Sequence, residues 1–128
     1  MTAASLKPAD AFFFEDHTQI VVKCCDHGMV MYVSITSIKQ QIAFTQPSIC
    51  PIYAGEHSGA KRDSVIDYLP AIKGHDSLVL DYRPPMREPV SDEVLKRILT
   101  AIPTCPFVDG KYKQFMTDDC CPHLNRRR

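Results

Sequence analysis

The sequence predicts an α+β fold: a small, mostly antiparallel sheet of about five or six short strands, one clear helix near 92–102, and one or two short helices. Three observations carry this. Ten Pro and five Gly punctuate the 128 residues, so no element runs long. Several short runs are rich in Val, Ile and aromatic residues, as strands are. One stretch, after Ser91, spaces its apolar residues as an amphipathic helix does. With 45% apolar residues the chain can bury a core, and its length suits a single domain over residues 1–128.

The elements follow in order. Residues 1–10 read as a loose arm, and Phe12 to Phe14 as the first anchor in the core. Ile20 to Cys25 and Met29 to Ile35 flank Asp26-His27-Gly28 and predict a β-hairpin. Met29 to Val33 is apolar on both faces, which predicts a central strand covered on both sides. Ser37 to Phe44 reads as a helical turn or a further strand, ended by Pro47. Ile49 to Ala54 reads as an edge strand or an extended segment, because Pro51 cannot donate to an inner ladder. A polar loop follows from Gly55 to Arg62, and Asp63 or Ser64 is expected to cap a short helix carrying Val65, Ile66 and Leu69.

Ser77 to Tyr82 alternates, with Leu78, Leu80 and Tyr82 on one face, and predicts a strand. Arg83 to Pro89 must be extended, because proline restricts itself and its predecessor. Ser91 then caps the clear helix. Asp92 and Glu93 suit its positive end, Val94, Leu95, Ile98, Leu99 and Ile102 form its apolar stripe, and Pro103 stops it. Asp109-Gly110, between Phe107-Val108 and Lys111-Tyr112, carries a two-residue hairpin signal. Residues 118–128 form a polar tail.

Charge bounds function. Fifteen Lys+Arg balance 15 Asp+Glu, for a formal net charge of zero. That excludes a protein gripping nucleic acid or anionic membrane over its whole surface. No apolar run approaches the roughly 20 residues of a membrane helix, and three phenylalanines do not make a secretory leader. A cytoplasmic or nuclear location with no membrane partner is the expectation. In a reducing compartment the six Cys are then expected as free thiols or metal ligands, with a disulfide framework as the alternative.

One signature recurs. Cys24-Cys25-Asp26-His27 and Cys120-Cys121-Pro122-His123 each supply Cys-x-x-His and Cys-x-His. Zinc prefers four tetrahedral thiolate and imidazole ligands. One pair from each copy would complete a Cys₂His₂ site that ties the tail to the first hairpin. Bound metal would then contribute folding free energy directly. Zinc is therefore the cofactor expected, with Cys24, Cys25, His27, Cys120, Cys121 and His123 as candidate ligands. Three Cys also precede Pro, at Cys50, Cys105 and Cys121, a pairing that can ligate haem through thiolate but equally marks loop junctions.

No complete catalytic set can be assembled. A thiol enzyme could pair Cys25 with His27, or Cys121 with His57 or His75, but the spacing selects none of them. The Gly55 to Arg62 loop resembles a phosphate loop in composition but misses its spacing. The expectation is a small protein that binds another protein, a regulatory or accessory factor of the kind, viral ones included, that engages a host. Contact surfaces are expected around Met86 and along the edge holding Ile52 and Tyr53. The alternative is an RNA-binding module using Tyr112 on the C-terminal hairpin together with Arg126, Arg127 and Arg128.

Overall fold

The computed structural model describes residues 5–25, 27–37, 50–67, 70–105 and 108–117. The architecture is α+β, as expected. Seven strands are found among the described residues: β1 (Ala11–Phe14), β2 (His17–Cys24), β3 (Met29–Ser37), β4 (Pro51–Ile52), β5 (Ser64–Ile66), β6 (Ala71–Gly74) and β7 (Met86–Arg87). They form one sheet in the order β4-β5-β3-β2-β1-β7, with every pairing antiparallel. β3 is the longest strand, and its free edge is shared end to end by β5 and β6.

The meander β1-β2-β3 is the backbone of the sheet. Glu15 and Asp16 turn β1 into β2 with φ of 54° and 67°, the paired left-handed geometry whose twist matches a hairpin. The next turn closes through Cys25 N–H to the Met29 carbonyl at 3.0 Å and Gly28 N–H to the Cys25 carbonyl at 3.1 Å. Gly28 takes φ of +78° there, open to a residue without Cβ. The expected hairpin over these runs is thus present. β2 also carries a bulge: Val21 pairs with Tyr32 and Lys23 with Met31, so Val22 is extra. Val22 joins the core, while Lys23 reaches across to donate to the Met116 carbonyl at 3.3 Å.

Both faces of the sheet are covered. On one, Ile20, Val22, Met31, Val33 and Ile35 meet helix α1 (Asp92–Thr104) through Val94, Ile98 and Ile102. Phe115 of helix α2 (Gly110–Thr117) completes that cluster. On the other face, Phe12, Val21, Val30 and Tyr32 pack with Leu6 and Leu78. Phe12, Phe14, Tyr32 and Tyr82 meet there edge to face, with centroids 5.0–6.4 Å apart. Tyr32 is central and covered on both sides, as its strand predicted.

The Tyr32 hydroxyl is the one buried side-chain polar atom among the described residues with no hydrogen-bond partner. Burial pushes its pKa up to about 12, with the charges of Glu15 and Tyr82 adding to the effect. Removing an unpaired buried hydroxyl relieves a desolvation penalty. Tyr32→Phe is therefore expected to leave stability unchanged or raise it by up to about 1 kcal/mol, read by urea unfolding.

Helix α1 follows its sequence closely. Ser91 Oγ accepts the Val94 N–H at 3.2 Å, with Asp92 and Glu93 in the first turn. The helix runs two residues past the expected end, because Pro103 sits in the last turn, where its fixed φ is still helical.

Four expectations are corrected. Residues 64–66 are strand β5, not a capped helix: the Asp63 carboxylate accepts the Ala54 N–H and Ser64 Oγ donates to the Arg62 carbonyl, so neither caps. Residues 77–82 form a π-helical turn, with the Arg83 N–H reaching the Leu78 carbonyl five residues back at 3.1 Å. Residues 110–117 are helix α2, not a hairpin, and the Asp109 carbonyl accepts from Tyr112 and Lys113 at its start. The arm is docked from Leu6 onward: Leu6 is buried, and the Ala9 N–H reaches the Val21 carbonyl at 2.9 Å. The element expected over 37–44 falls outside the described residues except for its first residue, Ser37, which ends β3. No described helix is long and apolar enough to cross a membrane.

Candidate functional site

The segment from Tyr53 to Asp63 is a loop by sequence, yet it is fastened at many points. Glu56 forms a forked pair with Arg97 of α1, at 2.7 Å (Nη1–Oε1) and 2.9 Å (Nη2–Oε2). Arg97 Nη1 also donates to the Pro51 carbonyl at 2.9 Å, and its guanidinium lies over the Tyr53 ring at 5.6 Å. The Tyr53 N–H donates to Glu56 Oε1 at 2.7 Å. Geometry of this forked kind is the strong form of an ion pair.

His57 is the second anchor, and its side chain is 1% exposed. Its Nδ1 accepts the Gly59 N–H at 2.9 Å. The ring proton therefore sits on Nε2, which donates to the Glu88 carbonyl at 2.6 Å. The Glu88 carboxylate in turn accepts the Ser58 N–H at 3.0 Å and Ser58 Oγ at 2.7 Å. Gly59 is the third anchor: a Cβ there would stand 2.6 Å from Thr18 Oγ1, so only glycine lets the loop lie on β2.

Two carboxylates record this fastening. The Arg97 hydrogen bond holds Glu56 down at about 2, against an ordinary 4.5. The Ser58 hydroxyl is the largest cause holding Glu88 at about 2, against the same 4.5. A depressed carboxylate contributes stability above its unfolded pKa and loses it as pH falls toward the folded one. The loop's contribution is thus whole above about pH 4.5 and lost as pH falls through about 2. Unfolding free energies measured from pH 5 to pH 2 are expected to fall steadily, and Glu56→Gln to flatten the slope.

The fastened loop borders a cleft of about 450 Å³. Phe13, Thr18, Ser58, Gly59, Lys61, Arg62 and Arg87 line it. Arg87 lies beside Phe13 because β7 pairs with β1, and its guanidinium stacks over the ring at 5.1 Å. Lys61, Arg62 and Arg87 make no ion pair among the described residues. No acidic side chain lines the cleft. A second hollow of about 260 Å³ shares Phe13, Thr18 and Gly59 and extends it toward Asp16 and His17.

Ser58, His57 and Glu88 have the composition of a hydrolytic triad but not its wiring. The hydroxyl donates to the carboxylate, and both imidazole nitrogens are engaged by backbone. No nucleophile–base hydrogen bond links Ser58 to His57. The thiols are no better activated. Burial pushes Cys50 up to about 11, and burial followed by the Asp10 charge raises Cys24. Cys50 and Cys105 are buried in the core at junctions that open β4 and close α1.

The candidate metal ligands divide. Cys24, Cys25 and His27 flank the β2–β3 turn, while Cys120, Cys121 and His123 lie outside the described residues. Cys24 donates its thiol to the Leu6 carbonyl at 3.4 Å, and His27 is exposed. Cys25 is disulfide-bonded, so its sulfur is not a thiolate there. Among the described residues, no group of three or more His, Cys, Asp or Glu is placed to hold a metal.

The expected contact residues also separate. Tyr53 is exposed, beside Arg97. Ile52 is 0% exposed and belongs to the core, which corrects its assignment to a contact edge. Met86 is half-buried against the second cluster, and Tyr112 packs on the first, beneath Lys111. With residues 110–117 helical, the RNA-binding hairpin is not formed; Arg126, Arg127 and Arg128 lie outside the described residues. Sequence reasoning weighed the Gly55 to Arg62 loop as a phosphate loop, found the spacing wrong, and left Lys61 and Arg62 on a surface loop. It missed Phe13 and Arg87, which only strand pairing brings together.

Neither family models nor curated proteins match the chain.

Proposed function

We propose that the protein works by binding a segment of another protein, and that the cleft beside Phe13 is its contact surface. The observation behind this is three cations without ion-pair partners among the described residues, lining one cleft with Phe13 beside a loop that Ser58 and His57 fasten to Glu88. A fastened loop spares the ordering cost that a free loop would add to association. An aromatic residue beside arginine is also the composition of an interface centre. Charge complementarity then calls for an acidic partner segment. The cytoplasmic or nuclear location belongs to this reading as an expectation, and the disulfide at Cys25 weighs against it, because a reducing compartment keeps thiols reduced.

The test is a titration of the isotope-labelled full chain with a hexaglutamate peptide, followed by amide chemical shifts. Shifts are expected at Phe13, Thr18, Gly59, Lys61, Arg62 and Arg87, weakening as salt rises. Arg62→Glu, at an exposed position, should abolish them. Shifts confined to Tyr53 or α2, or none at all, would overturn the proposal.

A further inference from the structure

The cleft carries more specific information than a general preference for acid. We infer that it is a docking site for a phosphoryl group on a serine or threonine of the partner protein. This rests on the reading of the cleft as a protein-contact surface and names the chemistry that fills it.

The first argument is charge. Lys61, Arg62 and Arg87 face one hollow in a chain whose formal net charge is zero. The acids adjacent in sequence are turned elsewhere: the Asp63 carboxylate accepts the Ala54 N–H and that of Glu88 accepts from Ser58, so neither lines the cleft, and Asp16 lines only the adjoining hollow. A carboxylate brings one negative charge to three cations. A phosphate ester brings about −1.5 to −2 at pH 7, with three acceptor oxygens.

The second argument is geometry. The Arg87 guanidinium lies over the Phe13 ring at 5.1 Å and makes no ion pair among the described residues, and a guanidinium can fork onto two oxygens of one anion. Lys61 and Arg62 sit next to Gly59, which is locked onto Thr18. The anchors of Ser58 and His57 therefore set the position of the opposite cations as well.

The third argument is shape. A cleft of about 450 Å³ exceeds a lone phosphoryl group and leaves room for flanking residues of a chain. It does not suit a nucleic acid strand. Single-strand binding uses open aromatic faces on which bases stack in succession. Phe13 is the one aromatic residue lining the cleft, and Arg87 already lies over its ring.

The experiment uses the full chain and three degenerate peptide libraries, alike except for a fixed central phosphothreonine, threonine or glutamate, with oligouridine RNA as a fourth probe. Fluorescence polarisation gives the affinities, and amide shifts locate the binding. The phosphothreonine library is expected to bind at least about tenfold more tightly than the glutamate library, since a phosphate ester brings about −1.5 to −2 charge and three acceptor oxygens where the carboxylate brings one charge and two. Arg87→Gln and, separately, Arg62→Gln should remove that preference while the remaining amide spectrum stays unchanged. Equal affinity for phosphothreonine and glutamate overturns the phosphoryl inference and leaves the protein-contact reading standing. Tighter binding of the RNA, or no binding of any peptide at the cleft, overturns both.

Discussion

Reducing the Cys25 disulfide is expected to lower the unfolding free energy by about 2–4 kcal/mol, the usual range for a native cross-link. Cys24, Cys50 and Cys105 are free thiols. Non-reducing digestion is expected to yield a cross-linked peptide that holds Cys25 and that reductant splits. The same measurement decides the zinc proposal. Reductant should lower the melting temperature while a chelator under non-reducing conditions leaves it unchanged. The converse result, with about one zinc per chain by elemental analysis, would make metal the link between the turn and the tail.

His57→Ala is the second large effect, with an expected loss of about 3 kcal/mol. The side chain is 1% exposed, and both ring nitrogens are hydrogen-bonded. Alanine leaves the Glu88 carbonyl and the Gly59 N–H without partners and opens a void beneath the loop. His57→Gln keeps a donor for the Glu88 carbonyl and should recover part of the loss. Hydrogen exchange separates this from general destabilisation. The Gly55 and Ala60 amides, bonded within the loop at 3.0 Å and 2.9 Å, should lose protection first, with β2 and β3 unaffected. Uniform loss of protection would make His57 a core residue and not a loop anchor.

The legible parts of the fold were those in which local and tertiary preferences agree. Ser91, the acids after it and the spacing of Val94, Ile98 and Ile102 all point one way, and α1 forms as read. At Asp109-Gly110 two local meanings compete, since Asp begins helices as readily as it turns hairpins. Gly110 has no positive φ, and Tyr112, Phe115 and Met116 stand at helical spacing, which is the signal that decides for α2. Alternation over Leu78, Leu80 and Tyr82 misled because six residues are too few to fix a period. Only Leu78 is buried, while Leu80 and Tyr82 are 61% and 52% exposed. The cleft was half legible. A glycine-rich basic loop can be read from the sequence, but the partner that makes it a site, Arg87 on Phe13, comes from the register of β1 with β7.

That register has a kinetic meaning. β1, β2 and β3 are joined by tight turns and can pair as soon as the chain collapses, whereas β7 must return from far along the sequence to reach Ala11 and Phe12. Contacts of such separation close late, after the loop entropy has been overcome. Interactions made after the transition state act on the unfolding rate more than on the folding rate. Substitutions at Arg87 should therefore shorten the lifetime of the native state while leaving the speed of folding nearly unchanged. A ligand seated between Phe13, Lys61 and Arg87 would pin the last-formed strand to the first, prolonging the folded lifetime of the whole sheet.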